Sequence, residues 1–179
     1  MRINAGAGRG RKLSRPPRRG VRPTTGRVRG VIFDILASQG AELGRVLDLY
    51  SGTGALGIEA LSRGAAHCDF VDSDRKACAV VRENLARTGW QDRAHVHCLA
   101  AARALSRIEP PYDVVVADPP YEYDRAELEL AGLVEQGLLA EDGVLVVEHS
   151  KRRVWPAQLG DRTQVLSRRH GDTCVTVYR

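Results

Sequence analysis

The stretch Arg45-Val46-Leu47-Asp48-Leu49-Tyr50-Ser51-Gly52-Thr53-Gly54-Ala55-Leu56-Gly57 decides the fold. An apolar run ends in a turn that carries glycines at G-x-G-x-x-G spacing, and helix-forming residues follow. Strand, glycine loop, helix is the opening of a parallel α/β unit. Asp72 lies twenty residues beyond Gly52, at the end of the next apolar run. As a ligand loop, Gly52 and Gly54 leave bare backbone beside a cofactor, and Asp72 takes ribose hydroxyls. A tight turn with no ligand is the plainer alternative. Spacing alone does not separate a nicotinamide dinucleotide from S-adenosylmethionine. Asp48 does favour one: a carboxylate at the strand end repels a pyrophosphate but suits the amino group of a methionine moiety.

Outward from this loop the chain alternates. Apolar runs predict strands over 45–50, 67–71, 94–98, 113–117 and 144–148, with helices over 55–63, 74–88, 100–108 and 125–139. Gly64 and Gly89 stand where helix C-caps belong. The runs Val114-Val115-Val116 and Val144-Leu145-Val146-Val147 suit a parallel sheet covered on both faces. Residues 162–169 and 173–178 flank His170-Gly171-Asp172 and predict an antiparallel hairpin at the sheet edge. The expected fold is α/β: a Rossmann-like, mostly parallel sheet with helices on both faces and a C-terminal antiparallel hairpin.

The chain of 179 residues has a net charge of +5, unevenly placed. Residues 1–33 hold ten basic residues and no acid, residues 34–148 hold 10 basic and 20 acidic, and residues 149–179 hold 7 basic and 2 acidic. Such segregation is the footprint of a polyanion partner. Genomic bias towards arginine, an organelle transit peptide and a solubilising tail are the bland alternatives. Residues 1–22, rich in Gly, Pro and Arg, are expected to be extended or disordered without a partner. A helix to about Ser38 should follow, capped by Thr25 and carrying Val28, Val31, Ile32, Ile35 and Leu36 on one face. Residues 1–40 thus read as a basic arm with a short helix, and 41–179 as the α/β domain. Apolar runs reach only five residues, as over 77–81, so no membrane span is expected. With no secretory h-region, the cytoplasm is the expected compartment. The cysteines and histidines show no metal-ligand spacing, and neither a metal nor a disulfide framework is expected.

The fourth strand ends in Asp118-Pro119-Pro120-Tyr121, the most specific signal in the chain. Two prolines stiffen the backbone at the carboxyl edge, where ligands bind. An exocyclic amine on an aromatic ring is a poor nucleophile because its lone pair is delocalised. Hydrogen bonds to Asp118 and to the Pro119 carbonyl would hold its protons and aim the developing lone pair at a sulfonium methyl. Tyr121 could stack on an extruded base.

With both motifs, the sequence resembles the class I S-adenosylmethionine-dependent methyltransferases of the D/N-P-P-Y group. More narrowly it is similar to the RsmD family, bacterial 16S rRNA guanine-N2 methyltransferases. The marks include Met1-Arg2-Ile3, Gly6, Arg9-Gly10-Arg11-Lys12-Leu13, the run Arg22-Pro23-Thr24-Thr25-Gly26-Arg27-Val28-Arg29, Glu59-Ala60-Leu61-Ser62-Arg63-Gly64-Ala65 and Asn84-Leu85. The resemblance implies methylation at N2 of the guanine at position 966 of 16S rRNA, within the small-subunit particle. It implies that Asp48, Gly52, Gly54 and Asp72, with Tyr50, Ser51 and Ser73 beside them, hold the cofactor. Leu99 and Ala100 would offer the adenine only backbone groups and apolar packing. The basic arm would clamp RNA through Arg9, Arg11, Lys12, Arg22, Thr24, Thr25, Arg27 and Arg29. Gly26 and Gly30 depart from the family pattern and leave the arm helix to be ordered by RNA; Ala7 and Gly8 depart from it in the first turn. A monomer is expected.

Amino-methylation of DNA adenine or cytosine and methylation of protein glutamine use the same chemistry, but those groups favour Asn at the tetrad's first position. From other classes come a non-catalytic RNA-binding assembly factor and an NAD-dependent oxidoreductase, for which the chain lacks a substrate domain. The histidines read as ordinary surface or strand residues, with a supporting role for Glu148-His149, at the same sheet edge as the site, as the sharper alternative. Lys151-Arg152-Arg153 reads as a solvated face, and Trp90 and Trp155 as packing residues.

Overall fold

The computed structural model describes residues 1–14 and 26–179. Its elements run α1 (Gly26–Ser38), β1 (Arg45–Leu49), α2 (Ala55–Ser62), β2 (His67–Asp72), α3 (Arg75–Thr88), β3 (Ala94–Cys98), α4 (Ala101–Ala104), β4 (Tyr112–Ala117), α5 (Ala126–Glu135), β5 (Leu139–Ser150), β6 (Gln158–Leu159), β7 (Arg162–His170) and β8 (Thr173–Tyr178). Among the described residues the strands form one sheet in the order β3-β2-β1-β4-β5-β8-β7-β6. The first five pair in parallel, and β8, β7 and β6 are added antiparallel. This is the expected α/β architecture with its C-terminal hairpin. Strand order reverses between β1 and β4, so the loops after these strands open a crevice at the switch point.

Alternating side chains along each strand feed two cores. Val46, Phe70, Val114, Val116, Val144 and Val146 meet α1, α2 and α3 on one face. Leu47, Leu49, Val71, Val115, Leu145 and Val147 meet α4 and α5 on the other. The regular elements differ from expectation on this second face. Helix α4 is a single turn rather than 100–108, and the chain continues through turns in which Arg107 N and Ile108 N donate to Ala104 O. Helix α5 stops at Glu135, since Gly137 turns the chain at φ +68° and β5 begins at Leu139.

The N-terminus is the larger correction. Residues 1–14 are packed, not extended: Arg2 and Lys12 pair antiparallel, and Ile3 and Leu13 enter the core beneath α1. Two buried apolar side chains anchor a segment whose composition alone reads as disordered. Its backbone groups are satisfied by α2. Asn4 N and Ala5 N donate to the two oxygens of Glu59 at 2.8 and 2.9 Å, Gly8 N donates to Ser62 Oγ at 2.9 Å, and Ala7 N to Ser62 O at 2.8 Å. Every residue of α2 is therefore buried, one side by the sheet and the other by this loop. Gly6, at φ +78°, leaves no room for a Cβ, which would lie 1.8 Å from Ser62 O. Gly8 lies under Trp90, so its small size suits the turn rather than weakening it.

Helix α1 is likewise formed without RNA. Val28, Arg29, Ile32, Phe33, Ile35 and Leu36 are buried, and that burial outweighs the cost of about 1 kcal/mol for each of Gly26 and Gly30. Its expected cap Thr25 lies outside the described residues, as do Arg22 and Thr24. No helix of the described residues is long and apolar enough to cross a membrane.

Candidate active site

The carboxyl ends of β1, β2 and β4 bring Asp48, the glycine loop, Asp72 and Asp118 together. Ser51 N donates to Val71 O at 3.0 Å and Asp118 N to Leu49 O at 3.3 Å, which ties the three strand ends to one another. Gly52 and Gly54 adopt φ +54° and +73°, conformations that glycine takes without strain. Tyr50 takes φ +60° as a tyrosine. At Gly57 a Cβ would lie 2.4 Å from the Phe70 ring and 2.6 Å from Cys68 Sγ, so the third glycine permits close packing of α2 on β2.

The carboxylates are already organised. Asp48 is buried and accepts Gly57 N at 2.8 Å; burial, with Asp118 and Asp72 nearby, pushes its carboxyl well above the ordinary range against the opposing Gly57 bond. Asp72 accepts Gly52 N and Asp74 N, both at 2.8 Å, while Asp74 itself caps α3 by accepting Lys76 N. The loop amide that a dinucleotide would need for its pyrophosphate is thus turned to a carboxylate. A buried acid with two further acids beside it suits a cation and repels a diphosphate. Ser51 Oγ is buried without a hydrogen-bond partner among the described residues, and a Cβ at Gly52 would meet open space. Both features fit a ligand seated on the loop.

Ser73 is exposed beside Asp72, Leu99 packs half-buried against the α4–α5 core, and Ala100 is the exposed N-cap of α4. Pro119 is buried, Pro120 exposed, and Tyr121 lies 42% exposed with its hydroxyl 3.1 Å from Thr173 Oγ1. A half-exposed ring pinned at its far end is a suitable platform for a flat ligand.

Residues that sequence reasoning missed hold the segment after the tetrad. Tyr50 Oη and Tyr123 Oη donate to the two oxygens of Glu129 at 2.6 and 2.7 Å, joining the glycine loop to the chain beyond Tyr121. Burial and the Glu129 carboxylate hold the Tyr50 phenol far above its ordinary range. Arg153 Nη1 donates to Tyr123 O at 2.7 Å, and its guanidinium lies over the Trp155 ring. Arg153 therefore leaves the solvated run assigned to 151–153, whereas Lys151 pairs with Asp172 at 2.6 Å. Trp90 and Trp155 pack as expected. His149 is buried, which pushes its pKa below the ordinary histidine value, with Nε2 on Thr176 Oγ1 at 2.8 Å and Nδ1 on Ser150 O. Its nitrogens are engaged between β5 and β8.

Of the basic set, Arg9, Arg11, Lys12 and Arg27 are exposed. Arg29 is not: it is 1% exposed, pairs with Glu59 at 3.3 Å and donates to Arg2 O and Asn4 Oδ1. A buried, paired arginine cannot reach a phosphate, which removes Arg29 from the clamp. The arm also meets the site directly. Asn84, fully buried, accepts Ser14 N at 2.7 Å and donates to Ser14 O and Thr53 O at 3.3 and 3.2 Å. One amide thus joins Ser14 of the arm to the glycine loop.

The family model described as "Conserved hypothetical protein 95" matches the chain over residues 1–179. The chain belongs to this family. It corresponds to the RsmD family inferred from the motifs. A Bacillus subtilis (strain 168) protein provisionally named rRNA methyltransferase YlbH is 37% identical over 182 residues, 100% of this chain and 98% of that protein. Ribosomal RNA small subunit methyltransferase D of Escherichia coli (strain K12) is 38% identical over 148 residues, 83% of this chain and 74% of that protein. A solved Escherichia coli structure, provisionally named methyltransferase yhhF, superposes with a TM-score of 0.87 at 32% identity, over 99% of this chain and 96% of that one.

Proposed function

We propose that this chain transfers a methyl group from S-adenosylmethionine to the exocyclic N2 of a guanine in 16S rRNA, in the small-subunit particle and as a cytoplasmic monomer. The observation that carries the reading is the convergence of Asp118-Pro119 with the acidic glycine-loop site at one strand-end crevice. The names of full-length relatives add the rRNA substrate. Asp48, Tyr50, Ser51, Gly52, Gly54, Asp72, Ser73, Leu99 and Ala100 form the cofactor side, and Asp118, Pro119, Pro120 and Tyr121 the base side. When bound, the cofactor supplies a methyl group on a sulfonium centre.

The chain's own residues do the rest. Asp48, ionised once a cation sits beside it, receives an ammonium, and Ser51 Oγ gains the partner it lacks. The Asp118 carboxylate accepts one N–H of the guanine amine and the Pro119 carbonyl the other, which turns the nitrogen lone pair out of conjugation. Asp118 then holds the proton that the methylated nitrogen sheds. Tyr121 carries the flipped base. In this division, residues 1–40 bring the RNA and 41–179 the chemistry.

Incubation with radiolabelled S-adenosylmethionine and small subunits from a strain lacking the gene should label the RNA, and nucleoside analysis should return N2-methylguanosine. Label in methylated adenosine or cytidine would overturn the base assignment, and RNA binding without label would leave an assembly factor. In the arm, the triple Arg9→Ala, Arg11→Ala, Lys12→Ala variant should weaken RNA binding and flatten its log–log salt dependence by about 2–3, near one unit per lost phosphate contact. An unchanged slope in filter binding removes the arm from the RNA interface.

A further inference from the structure

Away from the crevice, on the face covered by α4 and α5, the sheet gathers three of the five histidines around one buried acid. His67 and Asp69 alternate along β2 and so share a face, and the parallel register places His95 beside Asp69 and His97 beside Val71. His67 Nε2 lies 3.7 Å from Asp69 Oδ2, and His95 Nδ1 lies 3.7 Å from Asp69 Oδ1. The donor atoms of His67, Asp69 and His95 all fall within 4.8 Å of one another.

We propose that His67, Asp69 and His95 form a binding site for a late first-row divalent cation, Zn2+ foremost. Imidazole and carboxylate donors suit such ions. A tetrahedral ion with donors at about 2.0–2.1 Å holds them roughly 3.4 Å apart. Each imidazole nitrogen lies 3.7 Å from one Asp69 oxygen, His67 on Oδ2 and His95 on Oδ1, so a small turn of the exposed His95 ring brings both onto an ion held by the carboxylate. His95 is 73% exposed on the edge strand β3, where its ring is free to swing inwards and a water can take the fourth position.

The carboxylate is held in place from behind. Tyr112 Oη donates to Asp69 Oδ2 at 2.8 Å, and His97 Nε2 lies 2.7 Å from Asp69 Oδ1. These two are positioning residues. Arg45 Nη2 lies 3.6 Å from Oδ2, with its guanidinium over the Tyr112 ring. That aromatic face lets the arginine remain when a metal takes the acid. A metal here would brace the edge strand against β2 at a place where α4 offers only four residues of cover. Sequence spacing did not reveal the cluster, because its two halves are separated by the α3 crossover.

The test uses the full chain without a histidine tag, stripped with chelator and titrated calorimetrically with Zn2+. Expected are one equivalent bound and a melting temperature that rises with free Zn2+. His95→Ala, which removes an exposed side chain and leaves folding intact, should weaken binding at least tenfold, and His67→Ala likewise. His97→Ala should weaken it by about 10–100-fold through the carboxylate. Absence of saturable binding, or wild-type affinity in the His67 and His95 variants, overturns the proposal. Co2+ in place of Zn2+ should give the visible absorption of a four-coordinate nitrogen and oxygen site. A thiolate-to-cobalt charge-transfer band would instead place the metal on cysteine and refute the assignment.

Discussion

Asp118→Ala should lower methyl transfer by about a thousandfold while leaving cofactor affinity within a few fold. Loss of one preorganised polar group at a reacting centre costs about 10²–10³ in rate, and Asp118 is here assigned both orientation of the amine and receipt of its proton. Cofactor affinity should survive because Asp118 contributes to the fold through its backbone, the amide bonded to Leu49 O at 3.3 Å, and that bond outlasts the substitution. Asp118 also raises the Asp48 carboxyl, so its removal makes Asp48 easier to ionise, which offsets the loss of its own attraction for a cationic ligand. Asp118→Asn keeps one acceptor oxygen but cannot take a proton, and should fall between the two. Single-turnover transfer measured beside calorimetric cofactor binding separates these effects. Parallel loss of rate and affinity would show that Asp118 shapes the pocket rather than the reaction.

What the sequence made legible is what depends on local spacing. Gly52, Gly54 and Gly57 serve the turn and the α2–β2 approach because strand, loop and helix are contiguous in the chain. Asp118 could be placed at the carboxyl edge because Val114, Val115 and Val116 precede it. What stayed hidden depends on distant partners. Arg27 and Arg29 look alike in sequence, yet α1 turns the first to solvent and the second into the core. Helical phase places Arg29 on the face of Ile32 and Leu36, but nothing local announces Glu59 as its partner. The same holds for Glu129, which looks like one more surface acid of α5 until Tyr50 and Tyr123 reach it from two loops. Composition misled at residues 1–14 for a related reason. Glycine and arginine lower mean hydropathy, while order comes from Ile3, Leu13 and the backbone acceptors that α2 and Asn84 provide.

Glu59→Ala should destabilise the protein by about 3–5 kcal/mol, the range for removing one partner of a buried ion pair. Glu59 is 0% exposed, and its two oxygens accept four groups: Asn4 N, Ala5 N, Arg29 Nε and Arg63 Nε. Arg63 is part-exposed and can turn to water. Arg29, 1% exposed, cannot, and two backbone amides lose their acceptors with it. For a chain of this size a loss of that order lowers the melting temperature by about 6–20 °C. Glu59→Gln retains the volume but presents an amide NH2 where one oxygen stood, so it should recover only part of the loss. The double variant Arg29→Met, Glu59→Leu tests the cause, because replacing both members by apolar groups leaves no orphaned charge and should be more stable than Glu59→Ala alone. Hydrogen exchange at Asn4, Ala5 and Gly8 gives the local readout. These amides should lose protection in Glu59→Ala before the sheet does, since the N-terminal loop hangs on α2 through them. A change below about 1 kcal/mol with those amides still protected would mean that the apolar contacts of Ile3 and Leu13, not the Glu59 carboxylate, dock the arm against the domain.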